Sequence, residues 1–315
     1  MNSRQTPPGE LPVLVLIGPT AIGKTALSLE LAGRYNCEIV SVDSMQVYRY
    51  MDIGTAKASP AERSEVLHHL IDIIDPDEQY DAARFVQDAG AAIALIHEKG
   101  KLPLLTGGTG LYLKALLSGL FSTLPIDPDV RDTLKKRMGH EGLGALHREL
   151  TLRDPLSAQK IHFNDEQRIL RALEILSTTG IPWSRHLELQ TEATGKGILQ
   201  NMLQIGLTCK RENLYDRINE RCRKMINDGL EQEVHALMAK GYGKELKSLN
   251  AIGYRHMINY MEGVWSSEET CEILARDTRR YAKRQYTWFN KMPDIEWYES
   301  TALPQILERV NQWLG

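Results

Sequence analysis

Apolar positions along the chain follow two rhythms. Val13-Leu14-Val15-Leu16-Ile17, Glu38-Ile39-Val40-Ser41-Val42, Lys101-Leu102-Pro103-Leu104-Leu105-Thr106 and Met202-Leu203-Gln204-Ile205-Gly206-Leu207-Thr208 are short, largely apolar runs with the length and branching of buried strands. His68-His69-Leu70-Ile71-Asp72-Ile73-Ile74-Asp75-Pro76 reads as another such strand with a terminator. Between them, apolar residues return at helical spacing: over residues 26–32, over 82–99 through Phe85, Val86, Ala89, Ile93, Leu95 and Ile96, and over 111–117. From residue 125 the texture changes. Helical pattern and charge dominate over 129–138, 144–152 and 167–178, and no clear strand interrupts them before about residue 197. The expected organisation is therefore a core in two parts, residues 11–124 and 201–315, around a helical insertion at 125–200.

The chemistry starts where the first strand stops. Gly18-Pro19-Thr20-Ala21-Ile22-Gly23-Lys24-Thr25 sits between that strand and a helix, with the spacing of a phosphate-binding P-loop. Glycines let backbone amides curl around a phosphate, the helix N-terminus adds its positive end, Lys24 adds a full charge, and Thr25 can hold magnesium. The fold class predicted is α/β, a P-loop NTPase-like parallel sheet flanked by helices, with a mainly helical insertion domain. The site is for a phosphate or diphosphate; spacing alone does not name which.

The second strand ends on Asp43-Ser44-Met45-Gln46, and residues just past a strand's carboxyl end line the crevice of an open parallel sheet. Asp43 is thus placed to face the contents of the loop, although Asp-Ser also suits a turn or helix cap. Residues 46–57 look irregular, over the same crevice. Gly107-Gly108-Thr109-Gly110 forms a second glycine-rich strand-to-helix turn without a lysine; its amides and the Thr109 hydroxyl could meet the same ligand, or it could be a tight turn needing positive φ. No apolar run ending in Asp stands here, which disfavours a motor-type ATPase. His68 and His69 have no second ligand cluster nearby and read as structural.

Composition adds little to this picture and excludes some others. The 315 residues are 42% hydrophobic and 25% charged, ordinary for a globular protein, and no apolar run has the length of a membrane span. The polar residues 1–10 lack a signal-peptide core, so a cytoplasmic protein with a short frayed tail is expected. Cys37, Cys209, Cys222 and Cys271 are scattered and indicate neither disulfides nor zinc. A net charge of −3 does not announce a nucleic-acid partner, but local basic surface is what grips a phosphate backbone. Residues 276–291 supply such a segment, with six basic residues against one acidic one and Tyr281, Tyr286, Trp288 and Phe289 interleaved. It suggests an RNA-facing helix, with a solvated helix as the plain alternative. Arg168 and Arg171, three apart, and Arg217 and Arg221, four apart, each share a helix face; the second pair could clamp a polyanion or make ion pairs with Asp216 and Glu220.

Six motifs in order carry a resemblance: residues 18–25, Asp43-Ser44-Met45-Gln46-Val47-Tyr48, His68-His69-Leu70, Gly107-Gly108-Thr109-Gly110-Leu111-Tyr112, Asn250-Ala251-Ile252-Gly253-Tyr254-Arg255 and Lys283-Arg284-Gln285-Tyr286-Thr287-Trp288. Across nearly the whole chain they resemble the tRNA dimethylallyltransferases, also called tRNA isopentenyltransferases, in the bacterial form without a C-terminal zinc finger. The resemblance implies transfer of a dimethylallyl group from dimethylallyl diphosphate to the N6 amine of the adenosine 3′ to the anticodon, with release of diphosphate. It implies a monomer whose partners are tRNA, through the anticodon stem-loop, and dimethylallyl diphosphate. The P-loop would then hold a leaving group rather than ATP. Asp43 would take the amine proton, and Thr109 would bond near the reacting amine or bridging oxygen. Lys24, the loop amides, magnesium on Thr25, and Arg221 or Arg217 would stabilise the departing charge. The target base would flip out of its stack. Contacts to tRNA would come from Asp43, Ser44, Met45 and Gln46; from Gln167, Arg168, Ile169, Leu170 and Arg171; from Asn250, Ala251, Ile252, Gly253, Tyr254 and Arg255; and from Lys283, Arg284, Gln285, Tyr286, Thr287, Trp288, Phe289 and Asn290.

Three alternatives share the motifs. An adenylate isopentenyltransferase would use the P-loop and Asp43 on free AMP, with less need of the insertion and basic helix. A P-loop small-molecule kinase would use Asp43 on a hydroxyl and consume ATP. A nucleotide-dependent RNA-binding module would need no catalytic Asp43.

Overall fold

A computed structural model of the protein describes residues 11–118, 127–193 and 199–315; the tail at 1–10 and the boundary at 124–125 lie outside them. Among the described residues six strands form one parallel sheet: β1 Val13–Ile17, β2 Cys37–Val42, β3 His68–His69, β4 Leu102–Gly107, β5 Met202–Thr208 and β6 Ile295–Glu299, in the order β3-β2-β4-β1-β5-β6. Every pairing is parallel. All five residues of β1 and all six of β2 are buried, as parallel strands covered on both faces must be.

The register positions the chemistry. Ile17 lies opposite both Gly107 and Gly206, and Val42 lies opposite Gly107. The residues that follow these strands, Gly18, Asp43 and Gly108, therefore leave the sheet along one edge, at the carboxyl ends where such folds bind ligands.

Helices α1 Lys24–Tyr35, α2 Pro60–Glu65, α3 Ala82–Glu98 and α4 Gly110–Ser118 come from the first part of the chain. The next five are α5 Pro128–Glu141, α6 Leu143–Arg153, α7 Pro155–Lys160, α8 Glu166–Thr179 and α9 Trp183–Ala193. The last five are α10 Arg211–Asn227, α11 Leu230–Ala239, α12 Tyr254–Met261, α13 Ser267–Phe289 and α14 Leu303–Leu314. The chain divides into two compact units, one of residues up to Leu117 and from Ile198, the other Ser118–Gly197. The second unit has its own core of Leu134, Leu146, Leu150, Ile161, Ile169, Leu170 and Leu173, and three of its helices, α5, α7 and α8, start on the side-chain caps Asp127, Asp154 and Asp165.

The strand expected over 68–74 is cut to two residues. Leu70 and Asp72 take positive φ, 62° and 56°, which no strand accommodates. Asp72 is turned there by ion pairs to Lys57, whose side chain is 1% exposed, and Arg63. Long-range charge pairing thus overrides a local apolar pattern. Conversely β6, α11, α12 and α14 add elements beyond those expected, although α12 and α14 are strongly amphipathic; β6 is a half-buried edge strand.

Candidate active site

The P-loop of this chain is shaped by residues that can leave right-handed backbone. Gly23 has φ 107° and Ala21 φ 64°, so the turn stores some strain before α1 begins at Lys24. Lys24 Nζ donates to the carbonyls of Gly18 and Pro19 at 2.9 and 2.8 Å, closing the loop on itself. Burial and the nearby Arg221 guanidinium pull its pKa down to about 7, against the Asp43 carboxylate, which raises it. Charge at this position is therefore expensive until an anion arrives.

Asp43 stands where the sheet edge puts it. Its Oδ1 accepts from the amides of Met45 at 2.8 Å and Gln46 at 3.3 Å, the turn-capping role, while its charge is felt by Lys24, Arg221 and Tyr281. The turn-capping role is thus realised, and the carboxylate also lines the cavity beside the loop. Thr109 Oγ1 accepts from the Ser44 amide at 3.0 Å and lies near enough to the Tyr281 hydroxyl to act on it. Burial, and Asp43 after it, push the Tyr281 pKa up, so the phenol stays neutral. Arg221 is desolvated but remains a cation, as guanidinium does.

These groups bound a cavity of about 290 Å³ lined by the loop from Thr20 to Thr25, Asp43, Gln46, Gly108, Arg217, Arg221, Tyr281 and Gln285. Asp43, Arg221 and Tyr281 also line a second cavity of about 320 Å³, with Ser44, Met45, Arg284 and residues 250–255. Arg217 is tied to the Ile22 carbonyl and the Ser300 hydroxyl, each at 3.1 Å, so of the two arginines Arg221 reaches both spaces.

The second glycine turn needs its glycines for a reason other than the expected positive φ. A Cβ on Gly107 would run into the Val42 backbone and one on Gly108 into the Gln285 amide. Gln285, 5% exposed, accepts from the Thr20 amide at 2.9 Å and donates to the Gly108 carbonyl at 2.9 Å. It ties the phosphate loop to the turn that carries Thr109.

That placement corrects part of the expected tRNA surface. Gln285 is buried at the wall of the first cavity, Phe289 points into the core, Tyr286 packs on the core with its hydroxyl 3.2 Å from Thr208 Oγ1, and Trp288 packs over Gly110. Lys283, Arg284, Thr287 and Asn290 remain exposed. Ile169 and Leu170 are buried in the second unit's core, while Gln167 and Arg168 are exposed and Arg171 pairs with Glu174. Tyr254 is wholly buried: its ring leaves no room for a Cβ at Gly54, and its hydroxyl donates to Glu233 at 2.6 Å. Gly253 is buried beside it, whereas Asn250 is exposed and Ala251, Ile252 and Arg255 are half-exposed. Gln46 is folded inward, accepting from the Ser41 hydroxyl at 3.1 Å. Tyr281 and the bridging role of Gln285 were missed. Their signal is the inward face of α13, on which Thr278, Ala282, Gln285 and Phe289 recur at helical spacing.

Magnesium fits only as a companion of bound diphosphate. Thr25 brings a hard hydroxyl oxygen to the cavity, and among the described residues no group of three or more His, Cys, Asp or Glu could hold a metal alone. A magnesium ion that keeps its waters and takes phosphate oxygens suits that donor set. Among the described residues no helix is long and apolar enough to cross a membrane.

The family described as IPP transferase matches residues 46–292, and that described as isopentenyl transferase matches residues 11–72. The chain is 55% identical over 303 residues to the tRNA dimethylallyltransferase of Desulfotalea psychrophila, covering 96% of each. To that of Geobacter sulfurreducens it is 45% identical over 290 residues, covering 92% of each. Among solved structures it is similar to the full-length tRNA isopentenylpyrophosphate transferase of Bacillus halodurans, with TM-score 0.70 and 40% identity over 96% of each chain. It is also similar to a eukaryotic dimethylallyltransferase acting on tRNA, with TM-score 0.80 and 29% identity over 96% of this chain and 77% of that one.

Proposed function

The chain belongs to the tRNA dimethylallyltransferase family, a prenyltransferase acting on tRNA, and from that premise we propose how its residues divide the work. The donor is dimethylallyl diphosphate, with its diphosphate on the loop amides, Lys24 and Arg221, and with Arg217 bracing the loop through Ile22. The acceptor is the N6 amine of the adenosine 3′ to the anticodon, flipped out of the anticodon stem-loop. As the N6 lone pair bonds to the allylic carbon, the carbon–oxygen bond breaks and its electron pair leaves with diphosphate. The amine proton goes to Asp43, whose Oδ1 is held by the Met45 and Gln46 amides. Thr109, fixed by the Ser44 amide, orients the amine or the bridging oxygen. Thr25 would hold magnesium, which would offset part of the diphosphate charge. Exposed Lys283, Arg284 and Arg168 hold tRNA phosphates, and the enzyme works as a cytoplasmic monomer.

One observation carries this reading: Asp43 shares a cavity with the P-loop lysine and two arginines, so a base stands beside a polyphosphate cradle. Radiolabelled dimethylallyl diphosphate offered to tRNA and to AMP in parallel tests it. Label is expected in tRNA; label chiefly in AMP overturns it.

A further inference from the structure

The turn at residues 161–164 of the second unit displays two rings that the proposed chemistry does not use. His162 and Phe163 stack with centroids 4.4 Å apart and planes at 28°, and Phe163 is 57% exposed. A single exposed ring is ordinary; an exposed ring stacked on a second one beside polar side chains is the feature that a planar ligand could use.

The turn that carries the rings is held on both sides. Ile161 is buried in the unit's core, its amide donates to the Ser157 carbonyl at 3.0 Å, and its carbonyl lies 3.3 Å from His147 Nε2. On the other side the Asp165 amide donates to the His162 carbonyl at 2.8 Å, just before α8. The Asn164 amide donates to His162 Nδ1 at 3.2 Å, which fixes the ring's tilt and leaves Nε2 as its N–H. Beside the rings is a shallow, open depression lined by His162, Asn164, Asp165, Glu166 and Gln167. Its wall offers carboxamides and carboxylates, the groups that read a nucleobase edge. Exposed Arg168, 3.4 Å from Asp165, adds a cation within the same turn of α8.

We propose that His162 and Phe163 form a stacking platform for an unpaired nucleobase of the tRNA substrate. The proposal rests on the reading of the chain as a tRNA-modifying enzyme and adds a base contact to it. A preordered aromatic pair suits this occupant because every base has a π-face, and the polar wall supplies hydrogen bonds that an apolar protein partner would leave unmet. Leu152 and Leu156 are also exposed on this unit, so a protein contact is the competing outcome to measure.

The test uses the full-length protein and a tRNA transcript that the wild type prenylates. Phe163→Ala and Phe163→Leu are expected to weaken tRNA binding by roughly 5- to 150-fold, the range of one lost stacking contact, while KM for dimethylallyl diphosphate and thermal unfolding stay unchanged. Phe163→Trp keeps binding within about threefold of wild type, since a larger ring still stacks. A 2-aminopurine placed at successive loop positions is quenched at one position by the wild type and not by Phe163→Ala. Equal tRNA affinity for wild type and both truncations overturns the proposal. So does a change in sedimentation of the free protein on Phe163→Ala, which assigns the face to a second copy. A wild type that prenylates no tRNA sinks the enzymatic reading instead, and the two failures are thereby separate.

Discussion

Raising the pH from 7 to 9 is expected to weaken binding of dimethylallyl diphosphate by about 50-fold, because the loop lysine must be charged to hold it. In the free protein, burial and Arg221 bring the Lys24 pKa to about 7, and a bound diphosphate restores the charge by supplying the missing counter-ion. If only the ammonium form binds, the apparent Kd scales as one plus the ratio of neutral to charged lysine. That sum is about 2 at pH 7 and about 100 at pH 9, a difference of about 2 kcal/mol. The donor's own last ionisation lies near pH 6, so it does not titrate in this window. The sign is also visible without ligand. Between pH 7 and 10.5 the unfolded chain binds more protons at this lysine than the folded chain, so folding stability gains from rising pH there. Titration calorimetry at pH 8, in two buffers of different ionisation enthalpy, is expected to show uptake of about 0.9 proton per donor bound. Lys24→Arg, charged throughout, should bind without that uptake. A constant Kd between pH 7 and 9 with no proton uptake refutes the reasoning.

Three further perturbations separate the roles. Asp43→Asn keeps an oxygen for the Met45 and Gln46 amides, so turnover should fall by about 10²- to 10⁴-fold while tRNA affinity, read by filter binding, changes little. Gln285→Leu strands the Thr20 amide and the Gly108 carbonyl, at about 1–3 kcal/mol each; a lower melting temperature and a raised KM for the donor are expected, and unchanged values count against the bridge. Lys283→Ala with Arg284→Ala should lower the slope of log affinity for tRNA against log salt by about 1–2; an unaltered slope removes that face of α13 from the backbone contact.

What the sequence disclosed was what local rules govern. The apolar runs of β1, β2, β4 and β5 stand out because strands buried on both faces tolerate few polar residues. The P-loop stands out because its turn needs glycine at Gly23 and a lysine at Lys24. Asp43 followed from strand end and sheet type together. What stayed hidden depends on distant partners. Leu70 and Asp72 break a plausible strand because Lys57 and Arg63 pull Asp72 aside. In α13 the basic and aromatic residues looked like one RNA-facing run. The helix instead divides them, sending Gln285 and Phe289 inward while Lys283 and Arg284 stay outside, and only packing against the two glycine turns reveals that division.

The central claim is that the P-loop serves an isoprenoid diphosphate and Asp43 an adenine amine. Mass spectrometry of nucleosides from a tRNA transcript incubated with the purified protein, dimethylallyl diphosphate and magnesium measures it directly. One five-carbon prenyl unit is expected on N6 of the adenosine 3′ to the anticodon, with diphosphate released and no ATP required. Unmodified adenosine in every tRNA bearing that position, under conditions where the protein binds both substrates, would contradict it.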